Sequence, residues 1–306
     1  MHYTHQIRRR ARLLRQLAVA ASQPATQRHG VVVGAYWWVG LPNFGDDMTP
    51  WLLPRYGVVP VHRRAEEARV AGIGSILEHL PPNFSGAIWG GGLMDDHAYP
   101  LPEARILAVR GRLTAERVGA PEGVALGDPG LLAARRIRRP PTRWDVGLIP
   151  HLSHRSNAAF LALAETPGIR VRVIDVRRTA ARTVREIASC AAVVTTSLHG
   201  LVTADAFGIP ALWTSLEPPL SGGDFKFRDY ESVVTPDRSR YLAFRRGATL
   251  QEMLLHAAPA PRSTVESASD ALEAALRTLP EVLGDLKRFP AGVPQVIAGR
   301  NEWGDR

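Results

Sequence analysis

Several things are scarce in this chain, and each scarcity removes a class of function. It has one cysteine, Cys190, so no internal disulfide can form and a reducing compartment suits it. No run of about 18 apolar residues occurs, which leaves nothing to cross a membrane as a helix. Lysine appears only twice, at Lys226 and Lys287, although Lys and Arg together number 38. The formal net charge of +9 is therefore almost entirely arginine. Such wholesale arginine use weakens any argument from one particular surface arginine. A Gly-x-Ser-x-Gly nucleophile elbow is missing, and Cys190 sits at the end of a helix in a packing position. Zinc-finger spacing, basic heptads and aromatic-rich basic strand pairs are absent too, so nucleic acid is not an expected partner.

Acid is absent from residues 1–29, which carry Arg8, Arg9, Arg10, Arg12, Arg15 and Arg28. Ile7, Ala11, Leu14 and Leu17 fall on one helical face, which suits a helix resting on an anionic membrane surface; a solvated or disordered extension is the plain alternative. Arg15 interrupts the apolar part, so this is a poor secretory signal.

What is present reads as α/β. A chain of 306 residues holds two ordinary domains. Apolar strands at 31–36, 69–73, 87–89, 106–110 and 124–126 alternate with turns and helices, which predicts a parallel sheet with helices on both faces. RRIRRPPTR, residues 135–143, breaks the pattern. It then restarts with strands at 146–150, 170–174 and 191–194, and one amphipathic helix is expected over 263–283. These features divide the chain into a basic extension (1–28), a Rossmann-like domain (29–139), a second one (143–258), and a C-terminal helix and tail (259–306), loosely held from Phe289. The two domains are expected to face each other across a cleft lined by the carboxyl ends of both sheets.

The richest stretch is residues 193–213, VVTTSLHGLVTADAFGIPALW. An apolar strand ends in Thr195, Thr196 and Ser197, which can cap a helix that Gly208 and Pro210 then stop. His199 thus stands where a strand ends and a helix begins, a place that favours anions and where a histidine can act as a general acid. A histidine satisfied by a backbone carbonyl is the plainer reading. GLPNFGDD offers Asn43, Asp46 and Asp47, with Asp46 able to work on a hydroxyl, or else an Asx turn. Gly91 and Gly92 lie in a glycine run after a strand, either against a ligand or simply packing. Arg110 and Arg112 follow a strand, and arginine forks suit phosphate and carboxylate, although one could be solvated and the other paired to a helix acid. His151 and His154 flank another strand end, with too few ligands for a metal site. Lys226, kept in an arginine chain, hints at a specific role.

NFGDDMTPWLL, WGGGL, VRGRLT, GDPGLL, GLIPH, TTSLHGLVTADAFGIPALW and KFRDY occur in this order. The ordered set resembles the polysaccharide pyruvyl transferase family, bacterial exopolysaccharide members above all, over roughly residues 31–235. The resemblance implies a GT-B-like pair of domains, no metal and no cofactor, and transfer of a pyruvyl group from phosphoenolpyruvate to a sugar as a cyclic ketal. On that basis His199 and Asp46 are the expected catalytic groups. Arg110, Arg112, Ser197, Gly200, His151 and Lys226 would bind the donor, and Asn43, Asp47, Gly91 and Gly92 the acceptor. Many relatives have arginine just before Leu-His-Gly, where this chain has Ser197, so Arg110, Arg112 or Lys226 must do more here. A lipid-linked acceptor would place the protein in the cytoplasm, peripheral on the inner membrane through residues 1–28. The competing readings are a GT-B glycosyltransferase using a nucleotide sugar, and a basic adaptor without catalysis.

Overall fold

The computed structural model describes residues 2–298, with side chains at Ala11 and from Leu13 onward. Twelve strands are present among them: β1 (Val31–Tyr36), β2 (Val58–His62), β3 (Val70–Ala71), β4 (Gly74–Ser75), β5 (Ala87–Gly92), β6 (Arg105–Val109), β7 (Ala125–Leu126), β8 (Trp144–Ile149), β9 (Val171–Val173), β10 (Cys190–Thr195), β11 (Ala211–Trp213) and β12 (Lys287–Arg288). One sheet runs β12-β1-β3-β5-β6-β7, with β2 on β1 and β4 on β5; the other runs β11-β10-β8-β9. All pairings are parallel except β12 on β1. The fold is α/β, as the alternating pattern predicts. Strands β1 and β5 are apolar runs buried almost throughout, as in a parallel sheet covered on both faces.

Strand β2 escapes the sequence reading because Pro60 interrupts it. It pairs with β1 alone, and an edge strand tolerates a residue without an N–H. One apolar cluster crosses from sheet to sheet, joining Val33, Trp89 and Ala108 to Ile149, Val193 and Leu201.

The chain ends depart from expectation. The helix predicted over 263–283 is two, Arg262–Arg277 and Leu279–Leu283, and Pro280 sits in the first turn of the second, where its missing N–H costs nothing. The first of these returns to the N-terminal sheet, where Trp89 Nε1 donates to the Leu272 carbonyl at 3.0 Å. The tail is held as far as residue 298: β12 joins the sheet, and Val293 of the Val293–Ala298 helix packs with Val32, Val59 and Val61. At the other end, His2–Ala21 is the helix that the spacing of its apolar residues predicts, and not an irregular extension. Leu13, Leu17 and Ala20 pack against those same valines, whereas Leu14 is 67% exposed. The Leu17 expected to face a membrane therefore covers the protein's own sheet. Among the described residues no helix is long and apolar enough to cross a membrane.

Candidate active site

The carboxyl end of β10 meets the Leu198–Ala206 helix at Ser197, whose extended backbone ends the strand. Thr195 fixes this turn: its Oγ1 lies 3.0 Å from both the Ile149 and Ser197 carbonyls and accepts from Ser197 N–H at 2.8 Å. Gly200 is buried, and a Cβ there would lie 2.5 Å from Thr195 Oγ1 and 3.1 Å from Ile149. Glycine thus lets helix and strand approach, so Gly200 serves packing and not the donor contact expected of it.

His199 projects from the first turn and is nearly buried. Its Nε2 faces Asp128 Oδ2 at 3.5 Å. Phe44 meets the ring edge-on, with centroids 6.2 Å apart. Phe44 belongs to the 37–47 loop, which reaches the second sheet through a 2.8 Å bond from Phe44 N–H to the Val176 carbonyl. Gly45 lies against the imidazole, since a Cβ there would fall 2.1 Å from Nδ1. Asn43 Oδ1 accepts from Gly45 N–H at 3.2 Å, the Asx turn foreseen for this loop.

Asp46 follows in the same loop. Burial pushes its carboxyl up to about 7, against the opposing pull of the His199 and Lys226 charges. A Cβ on Gly74, whose φ is +119°, would lie 3.2 Å from Asp46 Oδ1, so the β4 end shapes this pocket wall. Lys226 is buried rather than solvated. Burial, with Arg110 beside it, lowers its ammonium to about 8. His151 stands at the end of β8, where its N–H donates to Thr196 Oγ1 and its Nδ1 accepts from Ser153 N–H. Burial, and then the Lys226, His154 and His199 charges, drop its imidazole to about 3, so it is neutral near pH 7. His154 is structural, bonded to Thr196 Oγ1 and the Pro218 carbonyl. His199, Asp46, Lys226, His151, Ser197 and Asn43 therefore gather at one place, with Asp47 next to Asp46 in the loop.

Other residues expected in the site lie elsewhere. Arg110 is fully buried at the end of β6: Nε donates to Asp229 Oδ2 (2.8 Å), Nη1 to Ser75 Oγ (2.7 Å) and Nη2 to the Leu93 carbonyl (2.6 Å). It is a scaffold under the site, not an open fork. Arg112 is exposed, and its Nε donates to the Ser232 carbonyl beside a separate cleft lined by residues 121–126 and the Arg262–Arg277 helix. Gly91 and Gly92 are buried in β5. A Cβ would meet Leu77 and the Gly72 carbonyl from the first, and the Arg110 guanidinium at 2.3 Å from the second. They are packing glycines, not acceptor contacts. Of the residues missed, Asp128 carried a signal, an acid before Pro129 at a strand end; Asp229 carried none, since its partner is 119 positions away.

Residues 88–218 match the family model for polysaccharide pyruvyl transferase. The chain is 30% identical over 208 residues to the succinoglycan biosynthesis protein ExoV of Rhizobium meliloti, covering 65% of this chain and 64% of that protein. It is also 30% identical over 178 residues to the uncharacterized protein L143 of Acanthamoeba polyphaga mimivirus, covering 55% and 61%. Each match spans somewhat under two thirds of the relative's length. This segment is similar to the polysaccharide pyruvyl transferase family, in keeping with the ordered motifs. It contains His199, Asp128, Ser197 and His151, while Asn43, Asp46, Asp47 and Lys226 lie outside it.

Proposed function

We propose that this protein transfers a pyruvyl group from phosphoenolpyruvate to a sugar of an exopolysaccharide or its lipid-linked precursor, forming a cyclic ketal. The observation that carries the reading is a nearly buried histidine at a strand-to-helix junction, beside a buried lysine and a loop carboxyl, in a chain similar to this family. We read residues 29–139 and 143–258 as two Rossmann-like units of a GT-B-like arrangement, with this site between them.

His199 delivers a proton to the methylene carbon of the enol phosphate. The cation-like C2 is attacked by one sugar hydroxyl, whose proton passes to Asp46. Inorganic phosphate leaves with that proton as the second hydroxyl attacks, the second hydroxyl's proton restores His199, and the two C–O bonds close the ketal. Asp46 suits the second role because a carboxyl held near 7 both takes and returns a proton at neutral pH. Lys226 supplies positive charge for the donor's phosphate or carboxylate, in the absence of an arginine at Ser197. Since Arg110 and Arg112 are engaged elsewhere, the donor role concentrates on Lys226, with Ser197 and neutral His151 as hydrogen-bonding groups.

Thermal stabilisation by phosphoenolpyruvate, compared with a panel of nucleotide sugars, tests the reading without knowledge of the acceptor. A ligand at about 100 times its Kd stabilises the fold by roughly 2.7 kcal/mol. Phosphoenolpyruvate alone is expected to act, and a shift with a nucleotide sugar alone would replace pyruvyl transfer with glycosyl transfer. With an acceptor in hand, His199→Ala should lose about 10²–10⁴-fold in kcat while donor binding persists.

A further inference from the structure

Two buried polar atoms face each other without a hydrogen-bond partner of their own: His199 Nε2 and Asp128 Oδ2, 3.5 Å apart. Asp128 is completely buried, and its other oxygen accepts from Gly130 N–H at 2.8 Å in capping the Pro129–Leu132 turn. That cap fixes the carboxylate and aims Oδ2 at the imidazole. A buried polar atom without a partner destabilises the fold, and a charged one does so more. One hydrogen on Nε2, directed at Oδ2, relieves both.

We infer that Asp128 is a positioning residue that holds His199 with a hydrogen on Nε2, leaving Nδ1, on the Gly45 side of the ring, as the nitrogen that passes protons to and from the substrate. The inference rests on the reading of His199 as the acid. A carboxylate that holds the ring by one nitrogen sets both its tautomer and its aim. A Cβ at 45 would fall 2.1 Å from Nδ1, so glycine is what leaves room for the ring in this orientation. The ring's remaining exposure is 9% of the side chain, enough for one small reacting atom and little solvent. The titratable groups that act on the pair are Asp46 of the loop and His151 of the β8 end on His199, and Tyr230 of the Phe225–Val234 helix on Asp128, with Lys226 beside Asp46.

The first test is the nitrogen-15 spectrum of histidine-labelled protein, with His199→Gln identifying the signal. In its neutral form His199 should be the Nε2–H tautomer, and Asp128→Asn should convert it to a mixture or to Nδ1–H. An Nδ1–H tautomer in the wild type would overturn the inference, whatever the activity. In the pyruvyl transfer assay, Asp128→Asn, which keeps an oxygen for Gly130, should lower kcat at least tenfold, within the about 10²–10⁴-fold that a positioned proton donor supplies. The KM for phosphoenolpyruvate should stay within about twofold. An Asp128→Asn enzyme with unchanged kcat, beside a dead His199→Ala, refutes the inference alone. An active His199→Ala enzyme refutes the acid reading instead.

Discussion

Replacing Asp229 by alanine should cost about 3–5 kcal/mol, the penalty for stranding a buried charge by removing its partner. Asp229 has no exposed side-chain surface, and neither has Arg110. Its Oδ2 accepts from Arg110 Nε at 2.8 Å and from Thr114 Oγ1 at 2.6 Å, and its Oδ1 from Thr114 N–H at 2.8 Å. Alanine removes all three bonds, and Arg110 keeps only Ser75 Oγ and the Leu93 carbonyl, both uncharged. At roughly 2.1 cal/mol/K of unfolding entropy per residue, the 306 residues give about 0.6 kcal/mol/K if they unfold together. The expected fall in Tm is then about 5–8 °C. Urea unfolding and calorimetry measure it, and phosphoenolpyruvate titration of the folded variant runs beside them. The apolar double variant Asp229→Leu with Arg110→Met should recover most of the loss, because two fitted hydrophobic side chains need no desolvation of charge. A loss below about 1 kcal/mol accompanied by abolished donor binding would refute the scaffold assignment and return Arg110 to the donor site.

Gly92→Ala should destabilise by about 2–3 kcal/mol, since its Cβ would lie 2.3 Å from an Arg110 guanidinium pinned by three bonds; a neutral effect in chemical unfolding would show that the ion pair can move. Asp46 binds its proton more tightly folded than unfolded, so its contribution to stability is full below pH 4 and lost as pH rises through about 7. Asp46→Asn should therefore gain on the wild type by about 4 kcal/mol between pH 4 and 8, and parallel stability curves for the two proteins would contradict the raised carboxyl. Lys226 has the opposite sense for an amine, with its ammonium lowered to about 8, so wild-type stability should climb from pH 8 to 10 while that of Lys226→Met stays flat. Affinity for phosphoenolpyruvate should fall across the same pH range in the wild type, and Lys226→Met should bind weakly at every pH.

Local pattern disclosed the β10 strand, the turn at Thr195–Ser197 and the helix stop at Gly208, because each is fixed by residues within a few positions of one another. His199 and Asp46 could be singled out for the same reason: each stands in a turn whose chemistry is local. What pattern cannot disclose is which partner a side chain finds across the fold. Arg110 reads as a fork at a strand mouth until Asp229, on a helix of the second half of the chain, claims it. Gly91 and Gly92 read as a ligand loop, and only the approach of Leu77 and Arg110 reveals that the missing side chains make room for protein. The helix break near residue 278 is hidden because apolar periodicity continues through Pro280.

The Phe225–Val234 helix explains why a lysine, not a strand-end arginine, is the cation beside His199. Within two turns Phe225 enters the cluster on the first sheet, while Phe227 stacks on Trp213 at the end of β11, with centroids 4.4 Å apart. Asp229 takes Arg110 of β6. Tyr230 donates to Asp205 Oδ2, and Glu231 with Asp205 holds the buried Arg240. Every one of these neighbours is buried, so the helix has little freedom to rotate or slide against either sheet. Lys226 is the one basic residue of this helix that is buried, and its position is dictated by contacts made three or four residues away. The same ion pair that removes Arg110 from ligand contact is therefore what anchors the helix bearing Lys226. On the proposed reading of Lys226, this buried arginine contributes to function through the place it gives another cation.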